Sequence, residues 1–336
     1  MTEPLTLHHI TDVYSAARKR SLEGFLLSLG GPSLLTFLGL DSSRCRVVVT
    51  LLHGNEPSGL RAVLALAQER LIPAVTCHVI IASTAAAATR PRFSHRMLPG
   101  QEDLNRCFGP GGESAQFQLA GAIKACIAKL NPECVVDLHN TSGSGPDFSV
   151  SISGDNAHQA LASCFTSRMI VTDLRLGSLM EQSFSGPVVT IEAGGAKDAL
   201  ADETAVCGLR TLFTEPDIYA LKHRVELLHY PRRLELQPGS TIAYLDGPDS
   251  ATSVCLRTDI ESLNFGYTPA GTHLGWVREN GLSDFRLDDR RAELSSYFCV
   301  EDHCLFTAVP LQLFMVTTIA DIARSDCLFY FIHEKR

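Results

Sequence analysis

No stretch of the 336-residue chain approaches the ~18 uninterrupted apolar residues that a membrane-spanning helix needs. The first residues, Met1-Thr2-Glu3-Pro4-Leu5-Thr6-Leu7-His8-His9, lack the basic start and apolar core of a secretory signal, so the expected location is cytoplasmic, with no membrane partner. Long basic runs are missing too and the formal net charge is -8, which argues against nucleic acid as a partner. The 11 cysteines are odd in number, scattered and mostly set in apolar stretches such as Val75-Thr76-Cys77-His78-Val79. That pattern suits reduced thiols better than a disulfide framework. There is no internal repeat, and no low-complexity tract longer than Ala85 to Ala88.

What is present is a layered α/β pattern over roughly the first two thirds of the chain. A β-branched run through Val47-Val48-Val49 predicts a buried strand, and Leu60, Val63, Leu64, Ala67 and Leu71 recur at helical spacing behind it. Further strands are expected over Ala74 to Ala82, Cys134 to Leu138, Phe148 to Ser153 and Pro187 to Ile191. Helices are expected over Asp12 to Leu29, Ser114 to Leu130, Asn156 to Ser167 and Ala201 to Phe213. Leu34 to Leu40 reads as an edge strand or hairpin partner, and Ser83 to Gly112 as a long irregular loop, a length more often functional or disordered than neutral. Beyond about residue 224 short β segments separated by Gly, Pro, Asp and Asn replace helical periodicity. The predicted organisation is a domain over 1–223, with 1–40 as an N-terminal extension, and a β-rich domain over 224–336.

Three of the predicted strands end at ionisable residues: His53 with Glu56 after the first, His139 after the third, and Glu192 after Ile191. The C-terminal edge of an open α/β sheet is where ligands bind. His53 and Glu56 can reach one cation from a single turn of chain, and a distant histidine would complete a three-ligand shell with a position left for water. The pair reads equally as a satisfied loop histidine and a surface carboxylate. Strand alternation puts Asp137 on the same side as His139, where a carboxylate can orient a metal-bound imidazole. Arg106, in Asp103-Leu104-Asn105-Arg106, is either a solvated loop arginine or a planar clamp for a carbonyl or carboxylate. Glu192 is either a surface or capping carboxylate or a base that takes a proton from water and returns it to a leaving amine.

Other chemistries have weaker signals. Ser142-Gly143-Ser144-Gly145 lacks the spacing of a serine-hydrolase elbow and reads as a flexible loop beside His139. Gly109-Pro110-Gly111-Gly112 is not followed by the Lys-Ser or Lys-Thr of a phosphate loop. Cys299, His303 and Cys304 form only one half of a metal site, so an ordinary β segment is expected there.

Taken in order, His53-Gly54-Asn55-Glu56, Asp103-Leu104-Asn105-Arg106, Asp137-Leu138-His139-Asn140-Thr141 and Ile191-Glu192 closely resemble the successive motifs of the aspartoacylase and succinylglutamate desuccinylase family, zinc enzymes related to the metallocarboxypeptidases. The resemblance spans roughly residues 45 to 215. It implies a zinc carboxypeptidase-like α/β/α domain with a mixed sheet and a smaller β-rich C-terminal domain. It also implies one Zn2+ per chain on His53, Glu56 and His139, with Asp137 behind His139. Glu192 would be the general base, Arg106 would act on the substrate in catalysis, and Asn105, Arg106 and Arg96 would bind it. The implied reaction is hydrolysis of the amide bond of an N-acyl amino acid, a small-molecule substrate; self-association into a homo-oligomer is left open. The alternatives are a metallocarboxypeptidase acting on peptides and a non-catalytic zinc-binding homologue. Two departures stand out. Arg96 precedes Asp103 at a looser spacing than the family's extra arginine, with Arg90 and Arg92 competing for the role. In addition, Gln182 to Pro187 supplies no arginine ahead of the glutamate base.

Overall fold

The computed structural model describes residues 6–141, 145–221, 224–287, 293–325 and 327–333. The expected flexible loop over Ser142, Gly143 and Ser144 lies outside them. The chain divides into two compact units, one of residues 1–140 with 147–227 and the other of 141–146 with 228–336.

The first unit is built on a nine-stranded mixed sheet. Its strands are β1 (His8–Ile10), β2 (Ser33–Phe37), β3 (Asp41–Thr50), β4 (Val75–Ile81), β5 (Val135–Thr141), β6 (Phe148–Ser151), β7 (Arg168–Val171), β8 (Val188–Gly195) and β9 (Glu226–His229), in the order β1-β2-β4-β3-β5-β8-β6-β7-β9. Helices α1 (Val13–Ala17), α2 (Leu22–Ser28), α3 (Ser58–Gln68), α4 (Thr84–Ala88), α5 (Ala115–Leu130), α6 (Asn156–Ser163) and α7 (Ala199–Thr214) complete it. Strand β3 sits between parallel neighbours β4 and β5, so Val47, Val48 and Val49 are excluded from water on both faces, as an unbroken β-branched run demands. The α/β class expected from the sequence is the observed one.

Within residues 6–40, β1 and β2 are strands of this sheet. Strand β2 pairs antiparallel with β4, with Phe37 beside Cys77, and Val13, Phe25, Leu35 and Phe37 are fully buried in its core. The single helix predicted over Asp12 to Leu29 is two short ones. Lys19 turns the chain at φ 55°, and the Ser21 hydroxyl accepts from Gly24 N at 3.1 Å to start α2. The helix predicted to Ser167 stops at Ser163, and Arg168–Val171 pairs with β6 as a strand that periodicity missed. Helix α4 lies inside the stretch expected to be irregular. Strands β5 and β8 run past His139 and Glu192 instead of ending there. Phe148 of β6 pairs with Glu192, so β8 is still paired at that residue, and it runs on to Gly195.

In the middle of β3, Arg46 is fully buried, donating Nε to Glu133 Oε1 at 2.5 Å and its terminal nitrogens to the carbonyls of Leu212, Glu215 (2.7 Å) and Pro216 (3.1 Å). The guanidinium thereby joins β3 to the C-terminus of α7, where cations are favoured.

The second unit holds two five-stranded sheets around a core that includes Leu234, Leu274, Phe298, Phe329 and Phe331. One sheet contains β10 (Arg232–Leu236) flanked by Phe285–Leu287 and Phe329–Ile332; the other contains the antiparallel hairpin Phe298–Glu301 with Cys304–Thr307. Asp302 and His303, both at positive φ (46° and 63°), make that hairpin's two-residue turn, and Cys299 and Cys304 are free thiols in its strands.

Candidate active site

Parallel pairing of β3 with β5 runs in register from Val47–Val135 to Thr50–Leu138. The residues just beyond therefore leave the sheet side by side, and this brings His53 and His139, 86 positions apart, to one place. The chain leaves β3 through Leu51, which is fully buried at φ 58°, a left-handed conformation that costs a branched residue ~1 kcal/mol. That turn redirects the backbone so that His53 and Glu56 face β5. Gly54 follows because nothing larger fits: a Cβ there would lie 2.6 Å from Ala87 N and 2.7 Å from His95 O.

His53, Glu56 and His139 are buried, and their ligand-type atoms lie within 4.8 Å of one another. No other such group of His, Cys, Asp or Glu occurs among the described residues. The Glu56 carboxylate spans the two imidazoles, with Oε1 2.8 Å from His53 Nδ1 and Oε2 2.7 Å from His139 Nδ1. Two nitrogens and a carboxylate facing one another suit zinc, whose ligands at about 2.0 to 2.2 Å from the ion stand roughly 3 to 3.5 Å apart. Burial opposes charge on Glu56, but the two histidines outweigh it and hold the carboxyl far below its usual range.

Each histidine has a second carboxylate at its outer nitrogen. Asp137, fully buried, places Oδ1 2.9 Å from His139 Nε2 as an ion-pair contact, and its Oδ2 accepts from Thr190 Oγ1 at 3.3 Å. Burial alone would depress the His139 imidazole; Asp137 and Glu56 reverse this and hold its pKa well above the ordinary value. Asp103 takes the same place behind His53, with Oδ1 2.9 Å from Nε2. Burial works against the Asp103 carboxylate, yet His53, Arg96 and Arg106 hold it far below the usual range. Sequence reasoning gave Asp103 no role of its own, although its place in the Asp103-Leu104-Asn105-Arg106 motif was a signal.

The remaining residues named from the sequence divide by burial. Asn105 is buried; its Oδ1 accepts from Leu179 N at 3.0 Å and its Nδ2 lies 3.4 Å from His139 Nε2, so it ties the 103–108 loop to the loop before β8. Arg106 is exposed and donates Nη1 to the Asn105 carbonyl at 2.9 Å. Arg96 clasps Asp103 Oδ2 through Nε and Nη2 (3.1 and 2.8 Å) and reaches Glu56 Oε1 at 3.4 Å. Asn140, unassigned from the sequence, accepts from Ser58 N and donates to Ser58 Oγ and Gly194 O, pinning the start of α3 to β8.

Glu192 is partly buried and lies within electrostatic reach of His139, Glu56 and His53. Its Oε2 is shielded from water and has no hydrogen-bond partner among the described residues. Burial, with Glu56 adding to it, pushes the carboxyl up to about 7, against the pull of the histidines. A carboxyl poised near neutrality suits a proton-transfer group.

The fold and this cluster define an α/β protein with a buried His-Glu-His cluster of metal-ligand type at the carboxyl edge of a mixed sheet. Residues 47–207, just under half of the chain, match the succinylglutamate desuccinylase/aspartoacylase catalytic domain. The fold recurs in solved structures at low identity. A succinylglutamate desuccinylase/aspartoacylase from Rhodobacter sphaeroides shares 14% identity at a TM-score of 0.57, covering 90% of this chain and 88% of that one. The product-bound ectoine utilization protein EutE (DoeB) from Ruegeria pomeroyi shares 15% at 0.56, covering 89% and 88%. A succinylglutamate desuccinylase from Silicibacter sp. TM1040 shares 16% at 0.55, covering 90% and 88%. No curated protein matches the sequence. Among the described residues no helix is long and apolar enough to cross a membrane.

Proposed function

We propose that this protein is a zinc-dependent deacylase that hydrolyses the amide bond of an N-acyl amino acid. The observation that carries the reading is the buried His53–Glu56–His139 cluster with the unpartnered Oε2 of Glu192 in its electrostatic reach. A zinc ion on these ligands supplies Lewis-acid chemistry, lowering the pKa of a water and polarising a carbonyl oxygen. Asp137 and Asp103 hold the two imidazoles in ligating orientation, and Arg96 holds Asp103.

Glu192 takes the proton of the attacking water and delivers it to the leaving amine as the carbon–nitrogen bond breaks. Arg106, exposed on the adjoining loop, stabilises charge on the substrate oxygen or holds its carboxylate, while buried Asn105 fixes the loop that presents it.

The test is a panel of N-acyl amino acids and short peptides, with metal content measured on the same preparations. Turnover of acyl amino acids is expected, and Glu192→Gln should lower it by roughly 10²- to 10⁴-fold with zinc content unchanged. Cleavage of peptides alone would replace this reading with a metallocarboxypeptidase. Stoichiometric zinc without turnover across the panel would favour a non-catalytic binding protein.

A further inference from the structure

The first unit also has a cavity around the C-terminal end of α3 and the α1–α2 turn. This cavity, of about 570 Å³, is lined by Tyr14, Arg18, Lys19, Arg20, Gln68 and Arg70 among others, and no carboxylate of the described residues lines it. Its size falls within the range of small-ligand pockets. Four cations around one cavity contrast with a chain whose formal net charge is -8.

The walls are held in place. Gln68 Nε2 donates to the carbonyls of Ala17 (3.2 Å) and Arg20 (2.9 Å), fastening the basic turn to α3, and the Tyr14 hydroxyl donates to Leu71 O at 2.6 Å. The left-handed Lys19 fixes the bend between the two short helices. Three of the four charges have no partner among the described residues. Arg18, Lys19 and Arg20 make no side-chain hydrogen bond or ion pair with any described residue, and Arg70 stacks over the Tyr14 ring at 5.4 Å. The carboxylates nearby are engaged elsewhere: Glu69 pairs with Arg210 at 2.7 Å, and Asp12, within electrostatic reach of Arg70, accepts from Ser15 N at 3.0 Å as the cap of α1. Like charges gathered on a braced turn repel unless an anion joins them.

From this arrangement we infer that the Arg18–Lys19–Arg20–Arg70 cavity is a binding site for a compact small molecule carrying two or more phosphate charges. Guanidinium forks match phosphate oxygens two at a time, and a lysine adds a point charge. A concave site of one-ligand size on an acidic protein favours a small polyanion over a nucleic-acid strand. The site is separate from the His53–Glu56–His139 cluster, since α3 begins beside that cluster at Ser58 and ends beside the cavity.

The test is calorimetric titration of the intact protein with inorganic pyrophosphate at low ionic strength. The variants are R18Q/R20Q and, as a control that removes equal charge, K129Q/R278Q, all four positions being exposed. Saturable one-to-one binding is expected, weakened roughly tenfold per arginine removed and unchanged in the control. The inference is overturned by absence of pyrophosphate binding, by R18Q/R20Q binding as tightly as the parent, by equal loss in both double variants, or by preference for a single-stranded oligonucleotide over pyrophosphate.

Discussion

Asp137→Asn removes one charge from a fully buried position 2.9 Å behind His139 Nε2 while keeping the shape of the side chain and a partner for Thr190 Oγ1. At an effective dielectric of ~20, a unit charge about 4 Å from an imidazole is worth roughly 4 kcal/mol of Coulombic attraction. Because the metal-free protein uses the same carboxylate to hold a proton on His139, part of that attraction cancels in the binding difference. The net expectation is the loss usual for a carboxylate behind a metal-binding histidine, about 10- to 100-fold in zinc affinity, or ~1.4 to 2.7 kcal/mol. Competition against a chromophoric zinc chelator at fixed pH measures it. The pH dependence carries a sign as well. Zinc must displace the His139 proton, so affinity rises with pH until it passes the raised His139 pKa. In the variant, with that pKa lower, the rise should level off at a lower pH. A change in zinc affinity of less than about threefold would refute the view that Asp137 supports the ligand.

Two further outcomes follow from buried charge. The Glu192 carboxyl is raised from 4.5 to about 7, so stability that is fully present below pH ~4.5 is lost as pH rises through about 7. Metal-free Glu192→Gln should thus melt with the parent near pH 4.5 and at a higher temperature at pH 8; equal melting at both values would show that Glu192 ionises without cost. Arg46→Met strips the guanidinium from Glu133 and from three carbonyls at the end of α7, and Glu133 keeps only its 2.9 Å pair with Arg44. Breaking a buried pair in this way costs about 3 to 5 kcal/mol, so a fall of roughly 10 °C in calorimetric Tm is expected, and a change under about 2 °C would count against the ion-pair account.

The sequence alone determined the α/β class and the order of most central elements, because a strand buried on both faces demands an unbroken apolar run such as Val47-Val48-Val49, and an amphipathic helix such as α3 demands 3.6-residue spacing. It also singled out His53, Glu56, His139 and Glu192, since an ionisable side chain at the exit of an apolar strand interrupts its pattern. Periodicity had no purchase on β7, a four-residue strand held by its pairing with β6, or on the break between α1 and α2, which depends on Lys19 and the Ser21 cap. Only the tertiary structure decided which residues meet. The β3–β5 register brought His53 to His139, the 103–108 loop brought Asp103 behind His53, and the hold on Asp103 drew Arg96 inward while Arg106 stayed exposed. The same limit hid the basic cavity. Arg18-Lys19-Arg20 is a short polar run along the chain, and it encloses a space only where the Gln68 amide fastens it to the far end of α3.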